Sequence, residues 1–237
     1  MSAQPDTVPA WDLPTRIFHW LLVALVVAAW VSYEFSSEIG DRTMIWHRWN
    51  GLAILTLLIW RVIWGFVGSS TARFANFVRT PSQAIAYAQS LLSGAPRRYL
   101  GHNPAGAFMV LALIGALALD AGLGLFAVDD NDLVGGPLHR LVGEEANKWA
   151  TRWHERIFDW VLIPLVLIHI AANVLYGVMK KEPLIPAMMT GAKPAADYAD
   201  APRIEEVSHP MWRALLCFIA AKVTLFGTML AAGGRIF

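Results

Sequence analysis

Residues 157–178 read IFDWVLIPLVLIHIAANVLYGV, 22 residues with a single acidic side chain and no basic one, preceded by His154 and containing His169. A helix of about 20 apolar residues crosses a hydrocarbon core about 30 Å thick, so this run reads as a membrane span. Histidine is costly in such a place and marks a functional position.

Working outward, four more runs have the same character, at about 17–35, 49–67, 105–127 and 211–232. The whole chain has 237 residues, 56% hydrophobic and 16% charged, with a mean hydropathy of +0.46, which is too apolar for an ordinary soluble domain. The expected fold is all-α: an integral membrane helical bundle forming a single domain over residues 1–237. Its parts are a four-helix core at about 11–180, an inner loop at about 181–209 and a fifth transmembrane helix at about 210–233. Arg16 is the only basic residue flanking the first run and no small-x-small cleavage site follows it, so an uncleaved helix is expected rather than a signal peptide. The lone Cys217 excludes an internal disulfide, a cysteine-ligated iron–sulfur cluster and a CxxCH haem attachment. The net charge of +1 says nothing useful about partners; from the apolar runs, membrane lipid is the expected surrounding, and no nucleic-acid partner is expected.

Lys and Arg set the orientation. With the N-terminus cytoplasmic, the inner segments carry eleven of them (Arg16, Arg61, Arg73, Arg79, Arg97, Arg98, Lys180, Lys181, Lys193, Arg203, Arg213). The outer segments carry seven (Arg42, Arg48, Arg140, Lys148, Arg152, Arg156, Arg235). The bias favours N-terminus inside. Trp11, Trp20, Trp46, Trp49, Trp64, Trp149, Trp153 and Trp212 cluster near the span boundaries, where an amphipathic ring is best placed. Between the second and third runs, Pro81 to Leu92 predicts a short amphipathic helix on the inner surface, with Pro81 in its first turn. The largest outer connection is expected from Asp129 to Trp153.

In this topology four histidines sort by depth. His19 and His169 lie toward the inner side, His47 and His154 toward the outer. The fifteen residues between His154 and His169 amount to about 22 Å of helical rise with an offset of about 60°, so one helix can serve two stacked sites. Each site would take one imidazole from the fourth helix and one from a neighbour, pairing His19 with His169 and His47 with His154. Two imidazoles do not satisfy zinc, and no thiolates or consistently placed carboxylates accompany them. A macrocycle with four equatorial nitrogens needs only these two axial ligands, which points to two haems of the protohaem (b) type. With both axial positions filled, outer-sphere electron transfer is expected rather than oxygen binding. Gly51, one turn beyond His47, would let a flat ring approach; its alternative is helix packing. Arg16 and Arg48 would neutralise propionates; their alternative is interfacial anchoring. His139 is expected to be exposed in the outer loop, its alternative being to back up the outer haem, and His209 to be interfacial, while Lys222 reads as a structural side chain that snorkels or pairs with a propionate or lipid group. His102 and Asn103 open the third run, where a donor could meet a quinone carbonyl or a haem edge. The plain alternative is that Asn103 caps the helix and Pro104 fills its first turn.

The stretch Trp11-Asp12-Leu13-Pro14-Thr15-Arg16-Ile17-Phe18-His19-Trp20 resembles the opening of the bacterial cytochrome b561 and nickel-iron hydrogenase b-type cytochrome family. So do Trp46-His47-Arg48-Trp49-Asn50-Gly51, Trp60-Arg61-Val62-Ile63-Trp64-Gly65, Ala72-Arg73-Phe74, the Gly101 to Gly106 motif, Leu167-Ile168-His169 and Ala187-Met188-Met189-Thr190-Gly191. The resemblance covers roughly residues 10 to 195. It implies a four-helix core with two b-type haems in the bacterial inner membrane, carrying electrons between a periplasmic redox protein, such as a c-type cytochrome or hydrogenase-like subunit, and quinone. His19, His47, His154 and His169 fall on the family's axial-ligand positions. Two departures stand out. The family usually has one residue fewer between its last two ligands, and Pro164 interrupts the helix here, so a local bulge or kink is expected to restore the facing of His169. The fifth span lies beyond the expected core.

The leading functional expectation is therefore a diheme b-type cytochrome moving electrons across the membrane. A second is a superoxide:quinone oxidoreductase, an activity of some relatives, in which Arg140, Lys148, Arg152 and Arg156 focus an anion toward the outer haem. A third is a haem-free membrane transporter or anchor.

Overall fold

Asp12 starts the first span: its Oδ1 accepts the backbone N–H of Thr15 at 2.6 Å, and Pro14 suits the first turn. The computed structural model describes residues 6–39, 42–94, 97–128, 134–200 and 208–234. Among these, five helices are long and apolar enough to cross a membrane: Leu13–Glu34, Thr43–Val67, Pro104–Gly124, Glu144–Met179 and Pro210–Ala231. Positions 129–133 of the outer connection, Arg203 and Arg235 lie outside the described residues.

The fourth helix departs from expectation at its start. It begins at Glu144, so the last part of the expected outer connection, Glu144–Trp153, is helical and His154 stands well inside the helix rather than at its opening. Apolarity marks the embedded part of a helix and not its end. The polar turns stand on their own, with Glu144 and Glu145 in the first turn and Lys148 paired to Glu144 at 2.5 Å. The same helix carries a π turn over Phe158–Leu162, just before Pro164.

The described chain divides into two units. The first comprises Met1–Ile17, Ile63–Ala112 and Leu165–Leu215. Its core gathers Ala10, Trp11, Leu100, Ala187 and Tyr198. Strand Thr7–Pro9 pairs antiparallel with Ala192–Pro194, placing Val8 opposite Lys193. The segment read as an inner loop thus contains the helix Leu184–Thr190 and a strand. Both are too short to register as a period, and the partner strand is remote in sequence. Gly191 ends that helix at φ 89°, and its carbonyl accepts the N–H groups of Ala10 and Trp11 at 2.8 and 3.0 Å. The surface helix Pro81–Leu92 forms with the expected bounds, held by a reciprocal capping box between Thr80 and Gln83. Trp64 is fully buried and its Nε1 donates to Thr15 Oγ1 at 3.2 Å, while the Ser69 hydroxyl donates to Asp12. A Cβ at Gly65 would lie 2.0 Å from the Phe74 ring, so any larger residue there requires that ring to move.

The second unit comprises Phe18–Val62, Leu113–Pro164 and Leu216–Phe237. Its core joins all five spans: Leu52, Leu55 and Leu58 of the second, Leu117 and Ala121 of the third, Leu162 of the fourth, and Leu225 and Met229 of the fifth, with Leu25 and Val26 of the first packed against them. Outward-facing Trp160 (79% exposed) and Val223 (67%) suit contact with lipid tails. Lys222 Nζ lies 6.0 Å from the Phe218 ring centre on the same helix.

Candidate functional site

The second unit brings His47 and His154 together. Their ring centres are 6.0 Å apart and their planes cross at 78°. Each ring is fixed by its Nδ1. His47 Nδ1 lies 2.9 Å from the Ala29 carbonyl oxygen and 3.4 Å from Ser32 Oγ. His154 Nδ1 lies 2.9 Å from the Asp120 carbonyl oxygen and 3.1 Å from Asp120 Oδ1. A carbonyl oxygen only accepts, so both Nδ1 atoms carry the proton and both Nε2 atoms keep their lone pair.

That arrangement fits one metal between two imidazoles. Metal–nitrogen bonds of about 2 Å, with about 1.1 Å from nitrogen to ring centre on each side, put the centres of opposed imidazoles about 6 Å apart. The flanking glycines agree with a flat macrocycle at this place. A Cβ on Gly51 would meet nothing within 4 Å, whereas one on Gly124 would lie 3.4 Å from His154 Cε1. Arg48, one residue beyond His47, is half-buried and its Nε has no partner among the described residues.

The remaining sequence candidates are distributed as follows. His19 belongs to the second unit, half-buried with its ring edge-on to Trp20 at 4.9 Å. His169 belongs to the first unit, half-buried, and its carbonyl accepts Asn173 Nδ2 at 2.7 Å. Arg16 is engaged by protein: its Nη1 donates to the Met189 carbonyl at 2.6 Å. This contact and the Gly191 clasp bring two of the quoted motifs, Trp11 to Arg16 and Ala187 to Gly191, against each other. His102 packs between Trp11 and Phe77, with ring centres 4.8 and 4.6 Å away. Asn103 Oδ1 accepts the Gly106 N–H at 2.7 Å, which caps the third span. His139 is half-buried rather than exposed, because its Nδ1 turns back onto the Gly136 carbonyl at 2.7 Å.

Sequence reasoning passed over Asp120. It is 5% exposed and is the one charged residue in the third span, a signal of the same kind as the histidines. Asp200 was also missed. Its two carboxyl oxygens accept the N–H groups of Leu100 and Gly101 at 2.6 and 2.9 Å, anchoring the glycine motif before the third span.

Comparison with known proteins places these features in context. The family described as prokaryotic cytochrome b561 matches residues 10–191. A probable Ni/Fe-hydrogenase B-type cytochrome subunit of Bradyrhizobium diazoefficiens is 22% identical over 220 residues, covering 81% of this chain and 87% of the relative. The probable Ni/Fe-hydrogenase B-type cytochrome subunit of Azotobacter vinelandii is 25% identical over 214 residues, with 78% and 87% covered. The probable Ni/Fe-hydrogenase 1 B-type cytochrome subunit of Escherichia coli K12 is 22% identical over 223 residues, with 81% and 94% covered.

Proposed function

The chain belongs to the prokaryotic cytochrome b561 family, a multi-pass membrane b-type cytochrome, and from that premise we propose that it is a diheme electron carrier linking a redox partner outside the membrane to quinone. Membership in a cytochrome family leaves the haem-free transporter or anchor without support. The observation that carries the proposal is the outer histidine pair, with ring centres 6.0 Å apart and both Nδ1 atoms held by backbone carbonyls.

His47 and His154 would hold the outer haem. A b-type haem held by these two residues would supply reversible one-electron chemistry. The chain's own residues then have two tasks. Ala29 and Asp120 hold the two imidazoles in the tautomer that presents Nε2, so little rearrangement accompanies a change of charge at the centre. The apolar core of the same unit, around Leu55, Leu58, Leu117 and Leu162, would limit water on the inward side of the pair. Arg48 is the candidate propionate partner. His19 and His169 are proposed as the inner pair on the sequence argument of matched depth and motif, with Arg16 beside His19.

The redox partner is proposed to be a c-type cytochrome or a hydrogenase-like subunit, since the relatives are named as Ni/Fe-hydrogenase subunits. His102 and Asn103 are the candidate quinone contacts, and the bacterial inner membrane with the N-terminus in the cytoplasm is the proposed setting. The superoxide reading needs a free basic patch around His154. Lys148 is instead paired with Glu144, and the Arg156 guanidinium lies 5.7 Å from the Trp153 ring centre, so this reading stands second.

The test is haem quantification by pyridine haemochrome with reduced-minus-oxidised spectra on detergent-purified protein. Two b-type haems per chain are expected, falling to one in both His154→Ala and His169→Ala, each with a different spectral component lost. Unaltered spectra in either variant would remove that histidine from the ligand set.

A further inference from the structure

Within the first unit a cavity of about 190 Å³ opens where the fourth span ends. Its wall carries four cations, Arg97, Arg98, Lys180 and Lys193, against one carboxylate, Glu182. Glu182 is already committed, its Oε1 3.1 Å from Arg98 Nε. Lys193 is 1% exposed, and its Nζ donates to the Tyr99 carbonyl at 2.8 Å. Burial pulls the Lys193 pKa below the ordinary lysine value, with Glu182 and Asp200 opposing the fall. Neither Arg97 nor Lys180 pairs with a carboxylate among the described residues. The cavity therefore has an excess of positive charge that an anion would balance.

A second feature adjoins it. An apolar cleft of about 400 Å³ runs beside Val174, Val178, Pro183, Ile185 and Pro186, and it shares Glu182 and Leu184 with the charged cavity. Val178, at the end of a helix long and apolar enough to cross a membrane, is 73% exposed, and Ile185, on the short helix Leu184–Thr190 that follows, is 46% exposed. A free phosphate would use the cavity alone. A phospholipid would use both, headgroup in the cavity and one chain in the cleft.

We propose that this cavity and cleft together bind one anionic phospholipid, with its phosphate between Arg97 and Lys180 and an acyl chain along Val174, Val178 and Ile185. The site is independent of the haem reading, because no proposed haem ligand lines it.

The experiment is native mass spectrometry of the detergent-purified haem-loaded protein, titrated with phosphatidylglycerol, with phosphatidylcholine and with inorganic phosphate. One phosphatidylglycerol per chain is expected to bind in preference to phosphatidylcholine. Replacing Arg97→Gln and Lys180→Gln together should weaken it about thirtyfold, about fivefold per cation removed, while Arg97→Lys with Lys180→Arg retains it. Gly177→Leu tests the cleft, since a Cβ at Gly177 meets only the Glu182 carbonyl at 3.9 Å and a longer side chain would project into it. That variant should weaken phosphatidylglycerol and leave inorganic phosphate untouched. An unchanged haem spectrum and melting temperature in each variant separate lost binding from lost fold. Equal binding of phosphatidylcholine, or an unaffected double glutamine variant, would overturn the proposal. So would displacement by inorganic phosphate together with an unaffected Gly177→Leu, which would make the cavity a free-anion site.

Discussion

His154 receives both of its Nδ1 contacts from one residue, the Asp120 carbonyl at 2.9 Å and the Asp120 carboxyl at 3.1 Å, whereas His47 is held by the Ala29 carbonyl and the Ser32 hydroxyl. The two imidazoles are therefore electronically unequal. A carboxyl on Nδ1–H makes Nε2 a stronger donor and favours the more highly charged metal state. Asp120→Asn keeps the shape and the backbone contact but removes that bias. A redox titration of the visible spectrum should show both haems retained and the outer midpoint raised on the order of 50 mV, about a tenfold change in equilibrium for one electron. An unmoved outer potential would reduce Asp120 to a packing role. At this scale the side chains were legible: the four histidines and Asp120 all stand out from apolar runs, although only the histidines were drawn together. Their orientation was not, because the groups that fix it, the Ala29 and Asp120 carbonyls, belong to the backbone and leave no mark in sequence.

Between His154 and His169 the helix passes through the π turn Phe158–Leu162 and then Pro164. A π turn absorbs one residue more than an α turn of the same rise, and that matches the single extra residue by which this chain departs from the family's usual ligand spacing. Proline removes an N–H donor, so a neighbouring irregular turn is favoured there, and the expected bulge falls on that place. The turn's outer residue Trp160 is 79% exposed and makes a natural site for a deletion. Deleting Trp160 should convert the turn to regular α-helix, keep the facing of His169 and retain both haems. Deleting Val166 instead, in the α-helical part before His169, rotates His169 by about 100° against the preceding turns and should cost the inner haem. Haem counting distinguishes the two, and equal loss in both would mean that the turn carries no spacing role. The helix ends were less legible than the spans, since Glu144–Arg156 is polar and helical at once. Leu184–Thr190 and Ala192–Pro194 were hidden because their stability comes from Gly191 meeting Ala10 and Trp11 across most of the chain.

At the level of the whole molecule, five described helices are each long and apolar enough to cross a membrane, and the proposed orientation has the first of them starting on the cytoplasmic side. The sign of that arrangement rests on eleven Lys and Arg in one set of segments against seven in the other, a modest bias made weaker by the basic turns before the fourth span. Those turns are helical, and Lys148 is paired with Glu144, so their positive charge is partly spent locally. Around the cationic cavity Arg98 is likewise paired, with Glu182, while Arg97 and Lys180 have no carboxylate partner among the described residues. The count of Lys and Arg is what favours the cytoplasm for the side bearing Ser93, Arg97 and Lys180. Cysteine labelling reads this directly. Cys217, the only cysteine, is buried within the fifth span, so Cys217→Ser provides a background without a native thiol. In that background Glu145→Cys should react with a membrane-impermeant maleimide in intact bacterial cells and Ser93→Cys only after permeabilisation. The opposite pattern would place the N-terminus outside and move the His47–His154 pair, with whatever partner it serves, to the cytoplasmic face.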